Sequence, residues 1–175
     1  MTAVITGSPA DLERARAVAA TVTDPELPML TLDDLGVMRS IEHDPNGVIV
    51  VAITPTYSGC PAMAAMRADL QRALSAAGFD SVEVRTTLTP PWSSDWISQS
   101  GRRKLSEHGI APPGRAPRPR RGPVPLTLVP PAALVQCPRC HSADTEQTSQ
   151  FGSTACKALH RCRSCGEPFD RIKEI

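Results

Sequence analysis

At 175 residues the chain has room for one ordinary core and a small appendage. With 41% hydrophobic and 21% charged residues it has a globular composition, which excludes wholesale disorder, and 3% aromatics leave the core to Val, Ile, Leu, Met and Ala. A formal net charge of +1 gives no general reason to expect a nucleic-acid or membrane surface.

The opening stretch MTAVITGSPADLERARAV has no basic cluster and no long apolar run, so neither a secretory leader nor a membrane span is expected. The expected compartment is the cytoplasm, where thiols stay reduced. Six cysteines then point to metal binding or reactivity rather than to disulfides.

Ser8 reads as an N-cap, Pro9 fits the first helical position, and Asp11 stands where a capping-box acid would sit. Leu12, Ala15, Ala19 and Val22 recur at helical spacing, so a helix is expected to about Thr21. In DPELPMLTLDDLG two prolines and a run of acids break any period, and a loop is expected. VMRSIEHD alternates in part, while VIVVAITPT is continuous and β-branched, as a buried strand would be. Asn46-Gly47 between them marks a hairpin. From Pro61 to Ala77 a helix carries Met63, Met66, Leu70 and Leu74 on one side, with Gly78 as its stop. SVEVRTTL alternates again and supplies a third strand. The order α-β-β-α-β defines an α/β fold, a small domain with a three-stranded mixed sheet, placed at residues 1–110. SSDWISQSGRRKLSEHG adds a shorter helical tail.

Proline then sets a boundary. Between Ala111 and Pro131, eight of 21 residues are Pro, which blocks helices and central strands. Residues 111–133 are therefore expected to be an extended Pro/Arg-rich linker. Arg115, Arg118, Arg120 and Arg121 make it either a solvated spacer or a contact for an anionic partner. With no aromatic residue interleaved to stack on bases, nucleic-acid binding is not favoured.

Residues 134–175 form a tail near the size at which a domain needs a metal or disulfides to hold a fold. Within it, CPRC at 137–140 and CRSC at 162–165 are two C-x-x-C knuckles separated by 21 residues. Cys137, Cys140, Cys162 and Cys165 can give four thiolates to one tetrahedral ion, which suits zinc and predicts a structural zinc ribbon. A rubredoxin-like iron site and uncoordinated thiols are the alternatives. Gly166 lets the backbone turn around the metal, and His141 and His160 are not needed as ligands. Cys156 is a further thiol: a buried strand residue, a replacement ligand, or a second reactive group.

Cys60 stands alone in the first 136 residues. Directly before Pro61 it falls at or near a helix N-terminus, where backbone N–H groups and the helix dipole would lower a thiol pKa. His43, beside the hairpin turn, lies a strand length away, so a Cys-His hydrolase is not expected. Asp24 and Glu26 are the candidate neighbours, and a thiolate among carboxylates suits a soft or borderline cation. The plainer alternative makes Cys60 a packed spacer, Asp24 a turn or cap residue and Glu26 a solvated acid.

TDPELP, LDDLGVMRSI and ITPTYSGCPAM resemble the iron–sulfur assembly domain family that includes SufT-like proteins and eukaryotic cytosolic cluster-targeting factors. TTLTPPWSSDWIS, KLSEHGIAPP, CPRC, FGSTACKALHRC and PFDRIK together resemble its PaaD branch, the D components of phenylacetyl-CoA epoxidase systems, over nearly the whole chain. That resemblance implies an accessory subunit, not an enzyme, of a multicomponent ring-epoxidising oxygenase in aerobic phenylacetate degradation. It implies partners in the di-iron oxygenase component and in a reductase carrying flavin and a [2Fe-2S] cluster. It also implies help with metal-centre maturation, Cys60 transiently holding iron or an iron–sulfur cluster beside Asp24 and Glu26, and the four knuckle cysteines holding zinc. The residues agree on one exclusion: no pair of Glu-x-x-His motifs and no GxGxxG is present, so oxygenase and reductase chemistry belong to partner chains. The alternative is a structural module that uses its ribbon for protein docking, with nucleic-acid binding a distant third.

Overall fold

The computed structural model describes residues 8–57, 59–116 and 134–175. Two compact units emerge: the first takes in the chain to Trp92 and Trp96–Gly101, the second Ser93–Asp95 and the chain from Arg102 on. Among the described residues no helix is long and apolar enough to cross a membrane.

In the first unit helix α1 spans Pro9–Ala19. Ser8 caps it by accepting from the Ala10 amide at 3.2 Å, while Asp11 pairs with Arg14 instead of closing a capping box. Ala15 and Ala19 are fully buried on its inner side. The following segment, expected to be a loop, does more than connect. Thr23 and Thr31 form an isolated antiparallel bridge, and the turns around it bury Leu27, Leu30, Leu32 and Leu35. Its prolines and acids hide these leucines from a periodicity test, because a buried turn has no period.

Strands β1 (Met38–His43) and β2 (Ile49–Ile53) pair antiparallel, and β3 (Val82–Thr86) runs parallel to β2, in the order β1-β2-β3. The sheet is mixed and three-stranded, as expected. The hairpin turn is tied by Asp44, whose carboxylate accepts from the Asn46 and Val48 amides at 2.9 and 2.8 Å, with Gly47 at φ 83°. β2 is central and buries Ile49, Val50, Val51 and Ile53, which explains its unbroken β-branched run. Helix α2 spans Met63–Ala76 and buries Met66, Leu70 and Leu74. It starts two residues later than expected, with Ala62 at its cap. Helices α1 and α2 pack on each other and on the sheet. Gly36 has φ 65°, and a Cβ there would meet the Trp96 Cβ at 2.6 Å, so the turn into β1 requires glycine.

Helix α3 spans Gln99–Glu107. The second unit holds a four-stranded sheet in the order β4-β7-β6-β5, made of β4 (Ile110–Ala111), β5 (Thr145–Ser149), β6 (Lys157–Cys162) and β7 (Pro168–Ile172). β5, β6 and β7 are antiparallel neighbours, the ribbon expected around the knuckles. β4 joins it in parallel, Ile110 opposite Asp170 and Ala111 opposite Arg171. A two-residue strand before two prolines leaves no alternation to read, and the sequence boundary after residue 110 cuts through it. Of the expected linker, 111–133, residues 117–133 lie outside the described residues.

Candidate metal centre and the front thiol

The four knuckle cysteines converge. The sulfurs of Cys137, Cys140, Cys162 and Cys165 all lie within 4.8 Å of one another, with Cys137 to Cys165 at 3.8 Å and Cys140 to Cys162 at 3.5 Å. The two knuckles repeat one backbone pattern. The Cys137 amide donates to Ser142 O and the His141 amide to Cys137 O; the Cys162 amide donates to Glu167 O and the Gly166 amide to Cys162 O. The fifth residue of each turn is left-handed, Gly166 at φ 78° and His141 at φ 60°. His141 thus has a backbone role, and the signal that could have found it is its alignment with Gly166. Across the repeat, Ser142 and Ser164 hydroxyls meet at 2.7 Å and Arg139 bonds Glu167 at 2.5 Å.

Burial divides the four. Cys137 and Cys162 are fully buried and share a cluster with Ala111, Val135 and Phe169, while Cys140 and Cys165 are exposed. Titration divides them too. Amides of Cys165 and Ser164 and the neighbouring thiols hold Cys162 down at about 7, against burial. The Ser142 amide pulls Cys140 down, but the surrounding thiols and burial override it and push it up to about 12. This is the behaviour of crowded sulfurs sharing a first charge and resisting a second. A divalent cation relieves that repulsion, so the donor set fits a closed tetrahedral site. A metal held by all four thiolates would keep no coordination position for a substrate.

His160 lies in β6 beside this centre, buried and stacked on Phe169 at 5.7 Å between ring centres. Neither ring nitrogen has a hydrogen-bond partner among the described residues, and burial, then Arg171, lowers its pKa. Cys156 sits half-buried just before β6, its sulfur 3.0 Å from the Thr154 hydroxyl. It stands outside the four-sulfur group.

Cys60 is half-buried in the turn leading to α2, its amide donating to Tyr57 O at 3.2 Å and its carbonyl accepting from the Met63 amide at 3.4 Å. Because α2 opens at Met63, Cys60 precedes the Ala62 cap by two residues and is not itself the cap. Pro61 accounts for this, since a residue before proline is biased away from the helical region. Asp24 is buried and turns its Oδ1 onto the Glu26 and Leu27 amides, both at 2.8 Å. Glu26 is half-buried. Among the described residues the knuckle cysteines are the one group of three or more metal-ligating side chains, and Cys60, Asp24 and Glu26 do not form a second. Thr54, the second residue of the ITPTYSGCPAM motif, opens the segment toward Cys60. It is buried, and its hydroxyl has no hydrogen-bond partner among the described residues.

Two family models divide the chain. Residues 12–86 match the iron-sulfur cluster assembly protein model, and residues 122–173 match the PaaD zinc beta ribbon domain. Over all 175 residues, and the full length of both chains, the sequence is 41% identical to an Escherichia coli (strain K12) protein named as the D component of a 1,2-phenylacetyl-CoA epoxidase. The chain belongs to the PaaD family of phenylacetyl-CoA epoxidase components. Its front part is also 30% identical over 86 residues to an "Fe-S protein maturation auxiliary factor" of Porphyromonas gingivalis (strain ATCC BAA-308 / W83), covering 49% of this chain and 81% of that one. Among solved structures, a domain of unknown function from Bacillus anthracis superposes with a TM-score of 0.51 at 28% identity, over 55% of this chain and 92% of that chain.

Proposed function

We infer that the chain is a non-catalytic accessory subunit of a phenylacetyl-CoA ring-epoxidising oxygenase, and that it assists maturation of that system's iron–sulfur or di-iron centres. The observation that carries this reading is the full-length 41% identity to a protein named as a component of that epoxidase, in a chain whose first half matches an assembly-protein family. In this reading Cys60 transiently holds iron or a cluster, with Asp24 and Glu26 shaping the loop beside it. Asp24 supports the loop directly, because its carboxylate fixes two amides there. The metal of the ribbon is zinc, held by Cys137, Cys140, Cys162 and Cys165. Four thiolates close its coordination shell, so it serves the fold and the docking of the oxygenase and reductase components.

Elemental analysis of wild type and Cys60→Ser, both expressed with iron and zinc available, tests the two metal assignments separately. The expected result is one zinc per chain in both and substoichiometric iron only in the wild type. Cys60→Ser should also keep the fold and lower the activity of the oxygenase in cells lacking the wild-type copy. Full oxygenase activity with the variant would remove Cys60 from maturation and leave the chain a docking module.

A further inference from the structure

β3 is an edge of the first unit's sheet, and among the described residues β2 is the one strand that pairs with it. The Ile49 amide donates to Ser81 O and the Thr87 amide to Ile53 O. Main-chain groups alternate in direction along a strand. Ser81, Glu83, Arg85 and Thr87 therefore commit theirs to β2, while Val82, Val84 and Thr86 turn theirs outward.

The two edges of this sheet are not equivalent. β1 is interrupted by an irregularity between Met38 and Ser40, the kind of bulge that spoils an edge as a template. β3 keeps an unbroken register over all its residues, from Val82 opposite Ile49 to Thr86 opposite Ile53. Its exposed face carries Glu83 and Arg85, joined by contacts of 2.8 and 2.7 Å. A single sign of charge on an edge repels a second copy. An acid and a base flanking one valine are instead complementary to themselves under a two-fold rotation.

We propose that two copies of this chain pair antiparallel along β3, about a two-fold axis at Val84, to make one continuous sheet. Val84 then faces its twin and Val82 faces Thr86 of the second copy, so roughly six outward hydrogen bonds close. Glu83 lies opposite Arg85 of the second copy, and Arg85 opposite its Glu83, at the closer non-hydrogen-bonded positions where cross-strand ion pairs form. Sliding the pair by one step of the ladder sets Glu83 against Glu83 or Arg85 against Arg85, so the charges also select the register. One strand pair is a small interface, and the association is weak and concentration-dependent.

Sedimentation velocity on the full chain, from micromolar to millimolar concentration, tests the proposal. The wild type should move from the single-chain mass toward twice that mass. Arg85→Glu and Glu83→Arg should each stay at the single-chain mass, because each sets four like charges about the axis. Mixed in equal amounts, the two variants should recover the doubled mass, since all four facing charges are then opposite. Val82→Pro should weaken association without any change in charge, because it removes an outward donor and spares the β2 ladder. Unchanged circular dichroism spectra exclude misfolding as the cause. A wild type that remains a single chain throughout overturns the proposal, as does a dimer that both charge reversals leave intact.

Discussion

In the first unit the fully buried side chains are mostly aliphatic, among them Leu30, Leu32, Ile49, Ile53, Met66, Leu70 and Leu74, with Thr54 the polar exception among the largest of them. A buried cluster of the ribbon is Ala111, Val135, Phe169 and two of the four knuckle cysteines, Cys137 and Cys162. One unit is organised by hydrophobic burial, worth ~1.5–3 kcal/mol for each large side chain. The other draws two of the four thiols into its interior, so in the proposed zinc reading ligands are also core residues.

The widest separation between the two should come from removing the metal. A strong chelator, or Cys162→Ser, is expected to unfold the ribbon while the first unit keeps its amide-exchange protection, because structural zinc supplies about 10–16 kcal/mol in comparable small modules. Loss of protection in both units would sink the contrast. Leu70→Ala reverses the test. It should cost about 2–5 kcal/mol of first-unit stability in denaturant titrations and leave metal content at its wild-type value.

Acid should also act on the ribbon first. With the four sulfurs gathered in the fold, the depressed Cys162 favours the folded ribbon above the ordinary thiol value, an effect lost as pH falls through about 7. Cys140, raised to about 12, acts in the opposite sense, since above the ordinary value its thiol resists ionising in the fold. The metal-bound state needs both as thiolates. Near pH 7 uptake therefore releases protons, and apparent affinity should rise with pH. Competition with a coloured chelator over roughly pH 6 to 8 measures the slope. A flat profile would mean the sulfurs are ionised before the metal arrives. The smallest expected effect is His141→Gly, which relieves a left-handed side chain and should stabilise the ribbon by up to about 1 kcal/mol.

Much of this was legible in local signals. Ser8-Pro9, Asn46-Gly47 and the two C-x-x-C knuckles each carry a local signal within a few residues, and the structure has the cap, the turn and the four gathered sulfurs. What escaped depends on distant partners. β4 is a strand only because Asp170 and Arg171 lie beside it, and the acidic loop is core only because four leucines in and after its proline turn face inward. From sequence, the Asp24 carboxylate fits either a cap or a neighbour of Cys60. Its two amide contacts display the capping role, which the short DPE motif permits without specifying.

The overlap of ligand and core in the ribbon also bears on how long the chain lasts in a cell. In the proposed zinc reading, loss of the metal releases the two sulfurs that Val135 and Phe169 are buried with, and the segment should unfold. Proteases that survey unfolded chains take such segments, so in that reading steady-state abundance should follow the supply of the metal with no dedicated sensor. In metal-limited cells the chain should turn over faster than in replete cells.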